Sequence, residues 1–91
     1  MRQTKTSALT VVKATSQARR YVDKLMPGVI ATVESKLSHD LTTDTPTVIT
    51  TITFPRTHHN RMGLKLALGT LDGVRKVDGL EFGRITVERS R

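Results

Sequence analysis

The sequence predicts a small α+β domain whose elements follow in the order strand, helix, strand, strand, helix, strand. Three observations support this order. Apolar and β-branched residues alternate in residues 7–14, 29–37 and 47–54, which is the period of a strand with one buried face. The segments that follow residues 14 and 55 carry apolar residues at helical spacing instead. Proline and glycine at positions 27, 28, 46 and 55 separate the segments.

The first strand is predicted at residues 7–14, SALTVVKA, because this stretch alternates and is rich in β-branched residues. A helix that begins earlier is the alternative. Thr15 or Ser16 can cap the helix that follows, and Pro27 with Gly28 ends it. The apolar stripe of this helix consists of Ala18, Tyr21, Val22 and Leu25.

The second and third strands enclose a polar loop at residues 38–46. In residues 29–37 the odd positions, from Val29 to Leu37, share one face. Residues 47–54, TVITTITF, form the clearest strand of the chain. The predicted core side of that strand carries Val48, Thr50, Ile52 and Phe54.

The second helix follows Pro55, with Gly73 as its C′ residue. A last strand is predicted at residues 80–88, where a bulge at Gly83 would return the apolar side chains to one face. The core positions of the second helix are Leu64, Ala67, Leu68 and Leu71.

Two strand–helix–strand units of this kind form the ferredoxin-like βαββαβ plait, with a four-stranded antiparallel sheet and both helices on one face. If residues 7–26 were one helix, the order would be αββαβ. That order resembles one type of KH domain, but the GxxG loop with which KH domains clamp nucleic acid is missing. We expect one domain over residues 1–91, with no internal repeat and with polar ends, 1–6 and 89–91, that fray.

The charge of the chain favours a polyanionic partner. Fifteen Lys and Arg against eight Asp and Glu give a formal charge of +7, and the isoelectric point is about 10.6. Nucleic acid, DNA or RNA, is the commonest such partner; the alternative is that the charge only maintains solubility. Without cysteine, signal peptide or a membrane-spanning apolar run, we expect a soluble, cytoplasmic protein that does not enter membranes.

Residues 54–69, FPRTHHNRMGLKLALG, predict a phosphate-binding helix start. If Thr57 or Asn60 caps the second helix, basic side chains surround the positive end of its dipole. Further basic residues on and after the helices would extend one basic surface on the helix side of the sheet; the alternative is a solvated basic face. The predicted nucleic-acid-binding residues are Arg19, Arg20, Lys24, Arg56, His58, His59, Arg61, Lys65, Arg75 and Lys76.

Metal binding and catalysis are not expected. Adjacent residues such as His58 and His59 point apart in helices and strands, and His39 or Asp40 completes no recognised ligand spacing. No nucleophile elbow, paired carboxylates or phosphate-binding GxxxxGK[ST] loop occurs. We therefore expect a protein that is not an enzyme and holds no cofactor.

The open face of the sheet predicts a second function. It lacks the aromatic residues with which RNA-binding sheets stack bases. Its β-branched residues could instead pair with a second copy, giving a homodimer or higher homo-oligomer that serves as an assembly module; the alternative is an ordinary solvated sheet. The residues predicted for self-association are Ile30, Thr32, Ile49, Thr51 and Thr53.

Overall fold

The structure, a computed structural model, describes residues 9–39, 46–79 and 83–90. It confirms the α+β class, because two helices pack on a four-stranded antiparallel sheet whose strand order is β1-β2-β4-β3. The elements in chain order are α1 (Val11–Leu25), β1 (Thr32–His39), β2 (Pro46–Thr53), α2 (Arg61–Leu68), β3 (Val74–Asp78) and β4 (Arg84–Ser90).

The six elements form two helix–strand–strand units. Each unit contributes an antiparallel pair of consecutive strands, and β2 and β4 join the two pairs at the centre of the sheet. Ile52 of β2 lies opposite Ile85 of β4. The repeat is one of topology, since the sequence contains no corresponding internal repeat. This arrangement leaves β1 and β3 at the two edges of the sheet.

The predicted strand at residues 7–14 is wrong where the structure describes it. Helix α1 already begins at Val11, and the Thr10 side chain caps it by accepting a hydrogen bond of 3.0 Å from the Lys13 amide. Ala14, Ala18 and Val22 recur at helical spacing and are buried. Their burial outweighs the weak β preference of valine and threonine. Residues 7 and 8 lie outside the described residues.

The cap at Thr10 can be tested by substitution. We expect Thr10→Ala to lower the free energy of unfolding by about 1 kcal/mol, because it leaves a first-turn amide of α1 without its acceptor. Thr10→Ser keeps the hydroxyl and is the matched control. Urea unfolding of both variants measures the difference, and equal stability of the two would contradict the cap.

The structure also differs from the predicted element order by strand β3, which was not predicted from the sequence. The observed order is αββαββ rather than βαββαβ, and it matches the alternative αββαβ with one strand added. Gly73 does not end α2, which stops at Leu68; with φ of 77° it leads into β3. The segment VRKVD is short and three of its five residues are charged, so its alternation is weak. The residues around the predicted bulge at Gly83, 80–82, lie outside the described residues.

Both helices cover one face of the sheet. The predicted core side of β2 is confirmed: Val48, Thr50, Ile52 and Phe54 are all buried. Thr50 satisfies its hydroxyl through a hydrogen bond of 2.9 Å with Ser35 of β1. The central core cluster consists of Ala18, Val22, Met26, Ile52, Phe54, Leu64, Leu68, Ile85 and Val87. No helix in the described part of the chain is long and apolar enough to cross a membrane.

Candidate nucleic-acid interface

The two sides of the sheet differ in charge. The open side carries four described basic residues and three carboxylates, and Lys76 and Asp78 form an ion pair of 3.6 Å there; the seven are Lys36, Arg75, Lys76, Arg84, Glu34, Asp78 and Glu88. On the helix side, six basic residues of the two helices face two carboxylates, Asp23 and Asp72. The excess positive charge of the described residues therefore lies on the helix side. Its members are Lys13, Arg19, Arg20, Lys24, Arg61 and Lys65.

Helix α1 carries most of this excess along one stripe, here called the α1 basic edge and formed by Lys13, Gln17, Arg20 and Lys24. These positions are three or four residues apart and so lie on one side of a helix. Their axial span is about 16 Å at 1.5 Å per residue. Lys13, Arg20 and Lys24 are exposed and form no ion pair with another described residue. They are therefore free to contact an external anion.

Arg19 lies on the opposite flank of α1 and is already engaged. Its guanidinium donates a hydrogen bond of 2.8 Å to the Ala31 carbonyl and pairs with Asp23 at 3.2 Å. Arg19 thus secures the start of β1 against α1. Of the predicted residues on α1, only Arg20 and Lys24 belong to the basic edge.

A groove of about 340 Å³ borders the α1 basic edge, between α1 and the turn that follows α2. The start of α2 meets the end of α1, where the side-chain Nδ2 of Asn60 donates a hydrogen bond of 2.6 Å to the Leu25 carbonyl. The lining of the groove consists of two basic side chains, two polar side chains and the apolar side chain of a leucine. It is lined by Gln17, Arg20, Tyr21, Lys24 and Leu71.

Arg89 lies below this groove and is not among the residues predicted from the sequence. It is only 3 % exposed, and its guanidinium donates to Gln17 Oε1 at 2.6 Å and to the Asp72 carbonyl at 3.0 Å. Burial lowers the pKa of Arg89, and the charges of Asp72 and Tyr21 oppose this shift. Arg89 was expected in a frayed end, yet it belongs to β4. The alternation of Ile85 and Val87, continued by two residues, would have placed it on the helix side.

The start of α2 is built differently from the prediction. Asn60 is the N-cap residue, but its side chain makes no cap hydrogen bond because it is used on Leu25. Arg61 turns back and donates 2.9 Å to the His58 carbonyl. The Arg61 guanidinium, which was predicted to bind a phosphate, thus already uses one of its donors on the preceding turn.

The adjacent histidines do not point apart. They lie in the turn before α2, where neither the helical nor the strand geometry applies, and their rings stack with centroids 4.6 Å apart. His58 Nδ1 accepts a hydrogen bond of 3.0 Å from the Asn60 amide. His59 is exposed, as is Arg56, while His58 is half-buried. In the described part of the chain, no group of three His, Cys, Asp or Glu residues could hold a metal ion.

The basic residues of α2 do not join the α1 groove. Asn60 marks the flank of α2 that faces α1, and Lys65 follows it by five residues, which places Lys65 about 140° around the helix. The exposed positions of α2 are Met62, Gly63 and Leu66, so its outer surface is not basic. The helix side therefore holds two separate basic clusters, and the larger is on α1.

Arg75 and Lys76 lie on the other side of the sheet, so the prediction of one basic surface is wrong for them. They belong to β3, where a bulge between Val74 and Lys76 leaves both side chains exposed. Lys76 lies opposite Glu88 of β4, and Arg75 donates a hydrogen bond to Thr47 of β2. The sequence placed them after α2 because β3 was not predicted.

Of the residues predicted for self-association, Thr32, Ile49, Thr51 and Thr53 lie on the open face of the sheet, as expected. Thr32 faces Thr53, and Ile49 faces Lys36. Ile49 is half-buried, since Lys36 and Glu88 flank it, and no aromatic residue lies on the described strands of this face. Ile30, 93 % exposed, precedes β1. The open face is thus more charged than its threonine and isoleucine residues suggested.

Comparison of the chain with protein-family models, with curated proteins and with solved structures finds no match. The function of the chain is therefore inferred from its own geometry and charge.

Proposed function

We propose that this chain is a non-enzymatic protein that binds the phosphate backbone of a nucleic acid through the α1 basic edge. The observation that supports the proposal most strongly is the segregation of charge. The described basic residues in excess over carboxylates lie on the helix side, while the open face is nearly balanced. A one-sided positive surface on a chain of charge +7 attracts a polyanion and orients it on that side.

The geometry of α1 suits a run of phosphates. The basic edge spans about 16 Å, the axial rise of about five base pairs of duplex at 3.4 Å each. Arg20 and Lys24 border the groove and contact phosphate oxygens by charge-assisted hydrogen bonds. Gln17 and the Tyr21 hydroxyl add neutral donors between them. The buried cation of Arg89 adds positive potential below the groove without meeting solvent.

The partner is a duplex or a structured nucleic acid, not an unpaired strand held by base stacking. Among the described residues that line the groove, Tyr21 is the one Phe, Tyr or Trp, and it is half-buried. Recognition of single strands depends on several aromatic platforms. Contacts to phosphates alone fix position on the duplex and read no bases, so affinity should vary little with sequence.

Binding across a salt series tests the proposal. With three phosphate contacts, from Lys13, Arg20 and Lys24, the slope of log K against log salt is expected to be about −2.7, a loss of about 40-fold between about 50 and 200 mM salt. Fluorescence anisotropy measures the affinity and its salt slope for a labelled duplex and for a labelled single strand. Absence of binding to either at the lowest salt would rule out the proposed function.

A further inference from the structure

The two edges of the sheet differ in how they limit further strand pairing. Edge strand β3 has five residues and a bulge between Val74 and Lys76, features that discourage another strand from adding. Edge strand β1 has eight residues in unbroken register with β2, and it pairs with no other strand in the described part of the chain. Strand β1 is therefore the edge that can accept a partner.

The side chains of β1 are complementary to their own reversed order. Glu34 and Lys36, both exposed, lie two residues apart on the open face. Val33 and Leu37 occupy the helix side on either side of Ser35, and Leu37 is still 42 % exposed there. If the charges of β1 served only to prevent pairing with other chains, charges of one sign would be equally effective. Opposite charges placed symmetrically about Ser35 instead favour an antiparallel copy.

We propose that this chain forms a two-fold dimer in which β1 pairs antiparallel with β1 of a second copy, with Ser35 at the axis. In this register Glu34 lies opposite Lys36 of the partner subunit, and the contact occurs twice. Val33 lies opposite Leu37 of the partner subunit. Moving the axis to position 34 or 36 would place like charges opposite each other, which destabilises a strand pair. The charges therefore select one register and give a continuous eight-stranded sheet.

Helix α1 fits the same axis. Thr15 Oγ1 lies 2.7 Å from Ser35 Oγ, so α1 passes directly over the axis position. Because α1 packs on β1 and β2, the two copies of α1 would lie about two strand spacings apart, about 10 Å, which is a normal helix-packing distance. The flank they would share is a shallow groove of about 650 Å³ that includes Val12, 79 % exposed, and Ser16, with Arg20 on the ridge between this groove and the one that borders Lys24. The second copy would fill this groove and cover Val12.

Charge exchange tests the dimer without any nucleic acid. Sedimentation equilibrium should give about twice the chain mass of 10.1 kDa. Lys36→Glu places two pairs of carboxylates in contact and should raise the dissociation constant of the dimer about 10- to 100-fold; Glu34→Lys should do the same with two cation pairs. The double exchange Glu34→Lys, Lys36→Glu should return it to within about threefold. A monomer at every concentration up to about 1 mM would overturn the proposal, as would a dimer that the single changes leave intact.

Disulfide cross-linking tests the register, because the chain has no cysteine of its own. In the proposed pairing, residue 34 lies directly opposite residue 36 of the second copy, at a distance a disulfide can bridge. A mixture of Glu34→Cys and Lys36→Cys should therefore cross-link on mild oxidation, and each variant alone should not. Cross-linking of either variant alone at the rate of the mixture would overturn the register with Ser35 at the axis.

Discussion

The double variant Arg20→Gln, Lys24→Gln is expected to bind duplex nucleic acid about 100-fold more weakly than the original chain at about 0.1 M salt. Each lost phosphate contact removes about 0.9 from the slope of log K against log salt, so the slope should fall by nearly 2. Both side chains are on the outside of α1 and form no hydrogen bond or ion pair with another described residue, so stability should change little. Titrations of labelled duplex at several salt concentrations measure both quantities.

The matched control removes the same net charge from the other side of the sheet. Lys76→Gln, Arg84→Gln changes two exposed residues of the open face, and it should lower affinity only through the smaller total charge, with the slope nearly unchanged. Equal losses in the two double variants would show that binding follows total charge rather than the α1 basic edge. Circular dichroism of both variants confirms that the fold is retained.

The elements that the sequence predicted well are those whose apolar pattern is long and unambiguous. Strand β2 alternates over eight residues, and α1 repeats Ala18 and Val22 at helical spacing; a shift of register would expose either set. The N-terminal segment failed because Leu9 and Val11 alternate as in a strand, whereas Val11 and Ala14 have helical spacing. Only packing against the rest of the core decides between the two. Strand β3 failed because an edge strand of five residues with three charges has little to bury.

The candidate site was less predictable than the fold, because it depends on contacts between distant residues. Helical spacing was enough to place Arg20 and Lys24 on one exposed side of α1. It could not show that Arg19 is held by Ala31, twelve residues away, or that Arg61 turns back on His58. Nor could it assign Arg75 to the open face, since that assignment requires the pairing of β3 with β4.

Substitutions of Arg89 test whether this buried residue contributes to both the stability of the fold and the binding of duplex. We expect Arg89→Ala to lower the free energy of unfolding by about 2 to 4 kcal/mol, since it opens a cavity and leaves Gln17 and the Asp72 carbonyl without a donor. Arg89→Met should cost much less. Methionine retains most of the buried stem, Gln17 can turn toward the groove, and the buried cation is removed, so that the main remaining loss is the donor to the Asp72 carbonyl.

The sign of the charge effect follows from the lowered pKa of Arg89. A base that is harder to protonate in the folded state than in the unfolded one destabilises the fold at every pH below the lowered pKa, where it carries its charge in both states. Methionine removes that cost at neutral pH and also removes positive potential below the groove. Arg89→Met should therefore weaken duplex binding several-fold with an unchanged salt slope, since a buried guanidinium displaces no counterion. A slope reduced by about 1 would mean that Arg89 reaches a phosphate itself, and unchanged affinity would restrict Arg89 to holding α1 on β4.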